Sequence, residues 1–213
     1  MIAVIDYGMG NLYSVEKALL SLGAEVIVTS DPVVIKNAAG VILPGVGAFG
    51  DCMANLQKAR LVETIQEVCR SHTPFLGICL GLQLLFEGSE EDPGVPGLGV
   101  FQGMVRKITA PNLKVPHMGW NSLRYATASY LFNKLTSDNH VYFVHSYHAV
   151  PEQRELITAW ADYGSEVTAA VGKNNIQAVQ FHPEKSGRVG LMILRNFVAR
   201  TAGGQSGDYL SGN

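Results

Sequence analysis

Cys79, His182 and Glu184 are the residues whose types and spacing could carry out covalent chemistry. Cys79 lies in the run P-F-L-G-I-C-L-G-L-Q at positions 74–83. Phe75, Leu76 and Ile78 form the short apolar run of a buried parallel strand, and beyond the cysteine Leu82, Leu84, Leu85 and Phe86 change to helical spacing. The cysteine is therefore predicted where a strand hands over to a helix. Gly77 and Gly81 flank it at two residues on either side, the layout of a nucleophile elbow, in which small neighbours let a tight turn lift a side chain clear of a sheet. The predicted helix aims its first amides at the sulfur, which favours a thiolate. A structural core cysteine could occupy the same pattern. The distinguishing feature is His182-Pro183-Glu184, just after a second apolar run at 176–181. A cysteine nucleophile needs a base within hydrogen-bond reach and an acid that orients the base, and this one segment supplies both.

A third stretch could hold developing negative charge. A strand predicted over 40–43 runs into P-G-V-G-A-F-G at 44–50, where glycines allow backbone amides to turn toward a ligand, as an oxyanion hole requires. Asp51 is placed to cap the helix that follows, which continues with an interruption to about residue 71. Leu56, Ala59, Val62, Ile65, Val68 and Cys69 fall at helical spacing there, making Cys69 a core residue and Cys52 a near-surface one. The early loop D-Y-G-M-G-N at 6–11 lacks the third glycine of a dinucleotide-binding turn.

Strands and helices alternate through the first half, which implies a parallel sheet with helices on both faces. The second half adds consecutive strands: a possible hairpin within 97–108, a strand at 140–147, another at 156–161, and a hairpin turning at Lys173-Asn174. Residues 87–96 read as an acidic loop, and P-H-M-G-W-N at 116–121 as a glycine-broken loop. A helix closes the pattern at 187–200. The carboxyl ends of the parallel strands would bring residues 44–47, Cys79 and His182 to one crevice, where such sheets bind ligands. The 213 residues, 47% hydrophobic and 16% charged, suffice for one domain over 1–200, with a polar, glycine-rich tail at 201–213 expected to be disordered. A formal charge of -2 without a basic cluster argues against a nucleic-acid partner. No apolar run is long enough for a membrane span and no signal segment opens the chain, so a cytoplasmic location is expected. Three cysteines without C-x-x-C spacing suggest neither disulfides nor zinc. Nor do His72, His117, His140, His145 and His148 have the spacing of metal ligands.

Taken together, G-I-C-L-G-L-Q at 77–83, H-P-E at 182–184 and P-G-V-G at 44–47 resemble class I glutamine amidotransferases. D-Y-G-M-G-N, P-G-V-G-A-F-G, P-H-M-G-W-N and F-V-H-S-Y at 143–147 are similar, more narrowly, to the glutaminase subunits of imidazole glycerol phosphate synthases. The resemblance spans about residues 1–200. It implies a three-layer α/β fold and glutamine hydrolysis through a glutamyl thioester, with Cys79 as nucleophile, His182 as base and Glu184 as its orienting group. It implies an oxyanion hole from Leu80 and from Gly45, Val46 or Gly47, whose glycines would permit a peptide flip controlled by a partner. Gln83 and Glu91 would bind the substrate, Glu91 through its ammonium group, with Ser146 and Tyr147 completing the pocket. No cofactor is implied. The implied partner is a (β/α)8-barrel cyclase subunit, contacted by Asn11, Pro116, His117, Met118, Gly119, Trp120 and Lys185, which receives ammonia through a channel near Trp120 in histidine biosynthesis. A glutaminase of another pathway, or a cysteine hydrolase on a similar scaffold, shares the triad. The first would not be expected to carry P-H-M-G-W-N, and the second gives Gln83 and Glu91 no reason to line the pocket.

Overall fold

A computed structural model describes residues 1–135 and 139–203, so the tail expected from 201 onward lies, from residue 204, outside the described residues. In chain order the elements are β1 Ile2–Ile5, α1 Leu12–Ser21, β2 Val26–Thr29, α2 Pro32–Lys36, β3 Gly40–Gly45, α3 Phe49–Lys58, α4 Val62–Arg70, β4 Phe75–Cys79 and α5 Leu80–Gln83. There follow β5 Gly88–Ser89, β6 Gly103–Lys107, β7 His117–Ser122, β8 Arg124–Tyr125, β9 His140–His145, β10 Tyr147–Pro151, β11 Ile157–Asp162, β12 Glu166–Lys173, β13 Ile176–Val179 and α6 Gly187–Thr201.

The main sheet has eight strands in the order β2-β1-β3-β4-β13-β12-β11-β8. It is parallel from β2 to β13 and antiparallel beyond. Every residue of β1, β3, β4 and β13 is buried, which is why these strands read as continuous apolar runs. The pleat sends alternate side chains to opposite layers. Ala3, Ile5, Val41 and Leu43 pack with Ile35, Phe49, Leu56 and Ile65 of α2 to α4, whereas Ile2, Val4 and Ile42 pack with Val15, Leu19, Ile193 and Phe197 of α1 and α6. Among the described residues no helix is long and apolar enough to cross a membrane.

Several local expectations are corrected by long-range pairing. The P-H-M-G-W-N segment is the strand β7 rather than a loop, because β9 pairs with it antiparallel from His117↔His145 to Ser122↔His140. Residues 97–108 contribute one strand instead of a hairpin, since β6 pairs with the distant β10. The helix after Cys79 is a single turn, because beyond Gln83 the amides of Leu98, Val100 and Phe101 bond back to Leu84 and Leu85. Its dipole is accordingly small. Asp51 is not the cap of α3. The acidic loop does that work: the Glu91 Oε2 carboxylate accepts from Phe49 N at 2.9 Å and Asp92 Oδ2 from Gly50 N at 2.7 Å. Cys52 is fully buried, not near-surface, with its sulfur 3.5 Å from the Tyr7 hydroxyl.

Candidate functional site

The elbow is built by close approach of backbones. Cys79 ends β4 with φ of 55° and ψ of -109°, a strained conformation for a residue with a Cβ. It persists because two nearby glycines are packed closely against main chain: a Cβ on Gly81 would lie 1.9 Å from the Leu43 carbonyl oxygen, and one on Gly45 would lie 3.0 Å from the Gly81 nitrogen. The same approach puts Gly45 in register with Cys79 and beside the first turn of α5, whose amides have no partner within the helix. Tyr7, which the sequence reading passed over, props this loop by donating its hydroxyl to Pro44 O at 2.9 Å.

His182 arrives at the cysteine because β13 pairs with β4 up to Val179↔Ile78. Its ring is held from both ends of the segment. Its main-chain N–H donates to Tyr142 O at 2.9 Å, and buried Ser186 donates its hydroxyl to His182 O while accepting from Tyr142 N. The Nδ1 of His182 lies 2.8 Å from Glu184 Oε1, both side chains being almost wholly buried, which leaves Nε2 for the sulfur. Burial opposes a charge on His182. Hydrogen bonding to Cys79 and Glu184, with their negative charges, overcomes it and raises the imidazole well above its ordinary range. The geometry thus favours an imidazolium in contact with the Cys79 sulfur. The other two cysteines lack such a neighbour: burial pushes the Cys52 thiol up to about 11 and the Cys69 thiol to about 12.

A cavity of about 320 Å³ opens over this group, lined by Val46, Gly47, Cys79, Leu80, Gln83, Glu91, Pro116, Val144, His145, Ser146, Tyr147 and His182. All four expected substrate-binding residues meet there. Gln83 is more constrained than its expected role requires, since its Nε2 donates to both Tyr147 O and Gln180 Oε1 at 3.0 Å, leaving only its amide oxygen for a ligand. A cleft of similar volume at the amino ends of β4 and β13, lined by Gln66, Arg70 and Lys173, holds no activated nucleophile.

The residues expected to face a partner divide. Pro116, Met118, Trp120 and Lys185 are exposed, Met118 at 60% and Trp120 at 58%, and Asn11 and Gly119 are half-buried. His117 is the correction: it is 2% exposed, because alternation along β7 turns it inward while Met118 and Trp120 point out. It stacks between Phe143 and Tyr163 and shares a 3.0 Å hydrogen bond with His145. The tautomers follow from the carbonyls. His145 Nδ1 must donate to Tyr147 O, so its Nε2 accepts from His117 Nδ1, and His117 Nε2 accepts from Asn121.

This arrangement needs neutral rings, and burial lowers His117 to about 4, His145 to about 3 and His148 to about 4. A depressed folded-state value means stability that is present above the unfolded value near 6.5 and lost as pH falls toward 4. The loss is at most about 1.4 kcal/mol per group per pH unit. In an NMR titration of the folded chain all three rings are expected to stay neutral at pH 5.5. Protonation of His145 near pH 6.5 without unfolding would refute the assignment.

The sequence profile described as glutamine amidotransferase class-I matches residues 3–201. The chain is 54% identical over 196 residues to the imidazole glycerol phosphate synthase subunit HisH of Moorella thermoacetica, covering 92% of this chain and 93% of that protein. It is 53% identical over 201 residues to the protein of the same name from Thermosynechococcus vestitus, covering 93% and 96%. Among solved structures it is similar to one described as a glutamine amidotransferase, with a TM-score of 0.72 at 17% identity over 95% of this chain and 100% of that one. It is also similar to PurLQS from Thermotoga maritima, at 0.70 and 18% over 92% and 96%. These last two establish the fold.

Proposed function

The chain belongs to the class I glutamine amidotransferase family, and from that premise we propose that it is the glutaminase subunit of an imidazole glycerol phosphate synthase. It hydrolyses L-glutamine and delivers the ammonia to a cyclase subunit in histidine biosynthesis. The observation that carries the chemistry is the convergence of Cys79, His182 and Glu184 at one end of a pocket of amino-acid size.

In this reading the Cys79 thiolate attacks the side-chain amide carbon of glutamine. The carbonyl π pair moves to oxygen, where the Leu80 amide and one from Gly45, Val46 or Gly47 receive it. Collapse breaks the C–N bond as the His182 imidazolium gives its proton to the departing ammonia, leaving a glutamyl thioester. Neutral His182 then takes a proton from water as the water oxygen bonds to the thioester carbon; the C–S bond breaks, its electron pair returns to sulfur, and glutamate leaves. Glu184 keeps the ring oriented throughout. Glu91 is tied to α3 through Oε2, and its second oxygen is the one a substrate ammonium would take.

The partner in this proposal is a (β/α)8-barrel cyclase, forming a cytoplasmic heterodimer. Met118 and Trp120 lie on the outward side of β7, opposite Val144 and Tyr142 of β9, and Pro116 and Val144 also line the pocket. An exposed apolar stripe continuous with the pocket wall is what a docking surface over an ammonia exit needs. Asn11 and Lys185 would contact the same barrel, and the glycines at 45 and 47 would allow a peptide flip that completes the oxyanion hole once the barrel binds its ligand. Residues 1–200 form the catalytic domain. The test is glutamate release by the purified chain, alone and with a cyclase barrel carrying its nucleotide ligand. Little activity alone and a large rise in the mixture are expected. Full activity that ignores the barrel would overturn the assignment to this synthase, and none in either mixture would overturn the glutaminase.

A further inference from the structure

Gln180 lies fully buried immediately after β13, two residues before His182. A primary amide with no access to water needs partners for both its ends. Its main-chain N–H donates to Ala169 O at 2.8 Å, and its side-chain Nε2 lies 3.7 Å from Cys79 Sγ. Which end of the amide faces the sulfur follows from a backbone group three links away. The Tyr147 carbonyl can only accept, and it accepts from both Gln83 Nε2 and His145 Nδ1. That makes the Gln83 nitrogen the donor toward Gln180 as well, so the group it meets is Gln180 Oε1. The nitrogen of Gln180 is thereby the end presented to the sulfur.

We propose that Gln180 is a second hydrogen-bond donor to the Cys79 sulfur, opposite in function to a spectator core residue: it stabilises the thiolate both before attack and as the leaving group when the thioester breaks. In the first step the sulfur gives up an electron pair to form the C–S bond and this hydrogen bond weakens. In hydrolysis the C–S bond breaks, the pair returns to sulfur, and the Nε2–H group is already in place to receive it. With α5 only one turn long, side-chain donors carry this role. The inference rests on Cys79 being the nucleophile. Its test needs no glutamine, so its failure is distinguishable from failure of the glutaminase reading.

Two variants separate the donor from the packing. Gln180→Glu keeps an oxygen for Gln83 and replaces the donor with an acceptor, whereas Gln180→Met keeps the length and removes both polar groups. The measurement is the rate of Cys79 alkylation by iodoacetamide against pH, with Cys79→Ala as the blank for the other two thiols. Both variants are expected to move the half-maximal pH upward by about one unit or more, with an unchanged plateau at high pH. At a pH well below both midpoints that is about a tenfold slower alkylation or worse. In steady state the companion expectation is a lower kcat with KM for glutamine little changed. An alkylation profile with the wild-type midpoint in both variants would overturn the proposal, as would a lowered plateau without a shifted midpoint, the signature of a merely structural role.

Discussion

Cys79→Ala is expected to abolish glutamate release, with and without a cyclase partner, by a factor of about 10⁴ or more. The magnitude follows from the site having one nucleophile. Cys52 and Cys69 are held as neutral thiols by burial, up to about 11 and about 12, and Cys52 is directed at the Val46 carbonyl, 3.5 Å away. Neither can substitute. His182→Asn is expected to cost about as much as the cysteine, and the double variant little more than either alone, because nucleophile and base act as one unit. Glu184→Gln should cost less, since nucleophile and base remain. It should also lower the proton affinity of His182, whose raised value depends on hydrogen bonds to Cys79 and Glu184. Glutamate release followed enzymatically, with circular dichroism to verify folding, checks all four. Residual activity in Cys79→Ala above the level of a buffer blank would rule out Cys79 as the nucleophile.

The second large effect is expected from one methyl group. Gly81→Ala places a Cβ 1.9 Å from the Leu43 carbonyl oxygen and 3.0 Å from its carbon, and neither is the end of a movable side chain. Leu43 lies within β3 and pairs in register with Gly77, so the strand cannot recede without breaking the ladder to β4. The turn α5 must lift instead. Forcing atoms into a filled site costs about 1–3 kcal/mol when side chains can adjust, and a backbone obstacle puts this change at the upper end, about 3 kcal/mol. Lifting α5 also withdraws the Leu80 amide from the position where charge develops. Loss of one such donor costs about 3 to 4 kcal/mol in the transition state. A reduced urea midpoint together with at least a hundredfold loss of kcat is the expected result. Wild-type values for both would show that the elbow is looser than its packing indicates.

The Cys79 elbow and the His182–Glu184 pair were legible because each is local. Strand-to-helix change, flanking glycines and a carboxylate two residues after a histidine are properties of a few consecutive residues, and so is the continuous apolar run that made β4 recognisable as a buried strand. The hairpin at Lys173-Asn174 was legible for the same reason, with Asn174 taking a φ of 55°. Gln180 could have been noticed too, as a polar residue inside an apolar run that would need a partner.

What only the tertiary structure decided depends on which segments meet. Cys79 and His182 are brought together by the pairing of β4 with β13. P-H-M-G-W-N became a strand because β9 was available to satisfy its backbone. That strand turned His117 inward and left Met118 and Trp120 on the surface. Glu91 and Asp92 cap a helix some forty residues earlier in the chain, and Cys52 is buried because Tyr7 closes over it. The sequence by itself determined the chemical groups and the local turns that present them, since these depend on neighbours along the chain. The long-range pairings decided which groups share a cavity, which face solvent and how the amides around the sulfur are oriented, since each of those is a hydrogen-bond or packing partner far away in sequence.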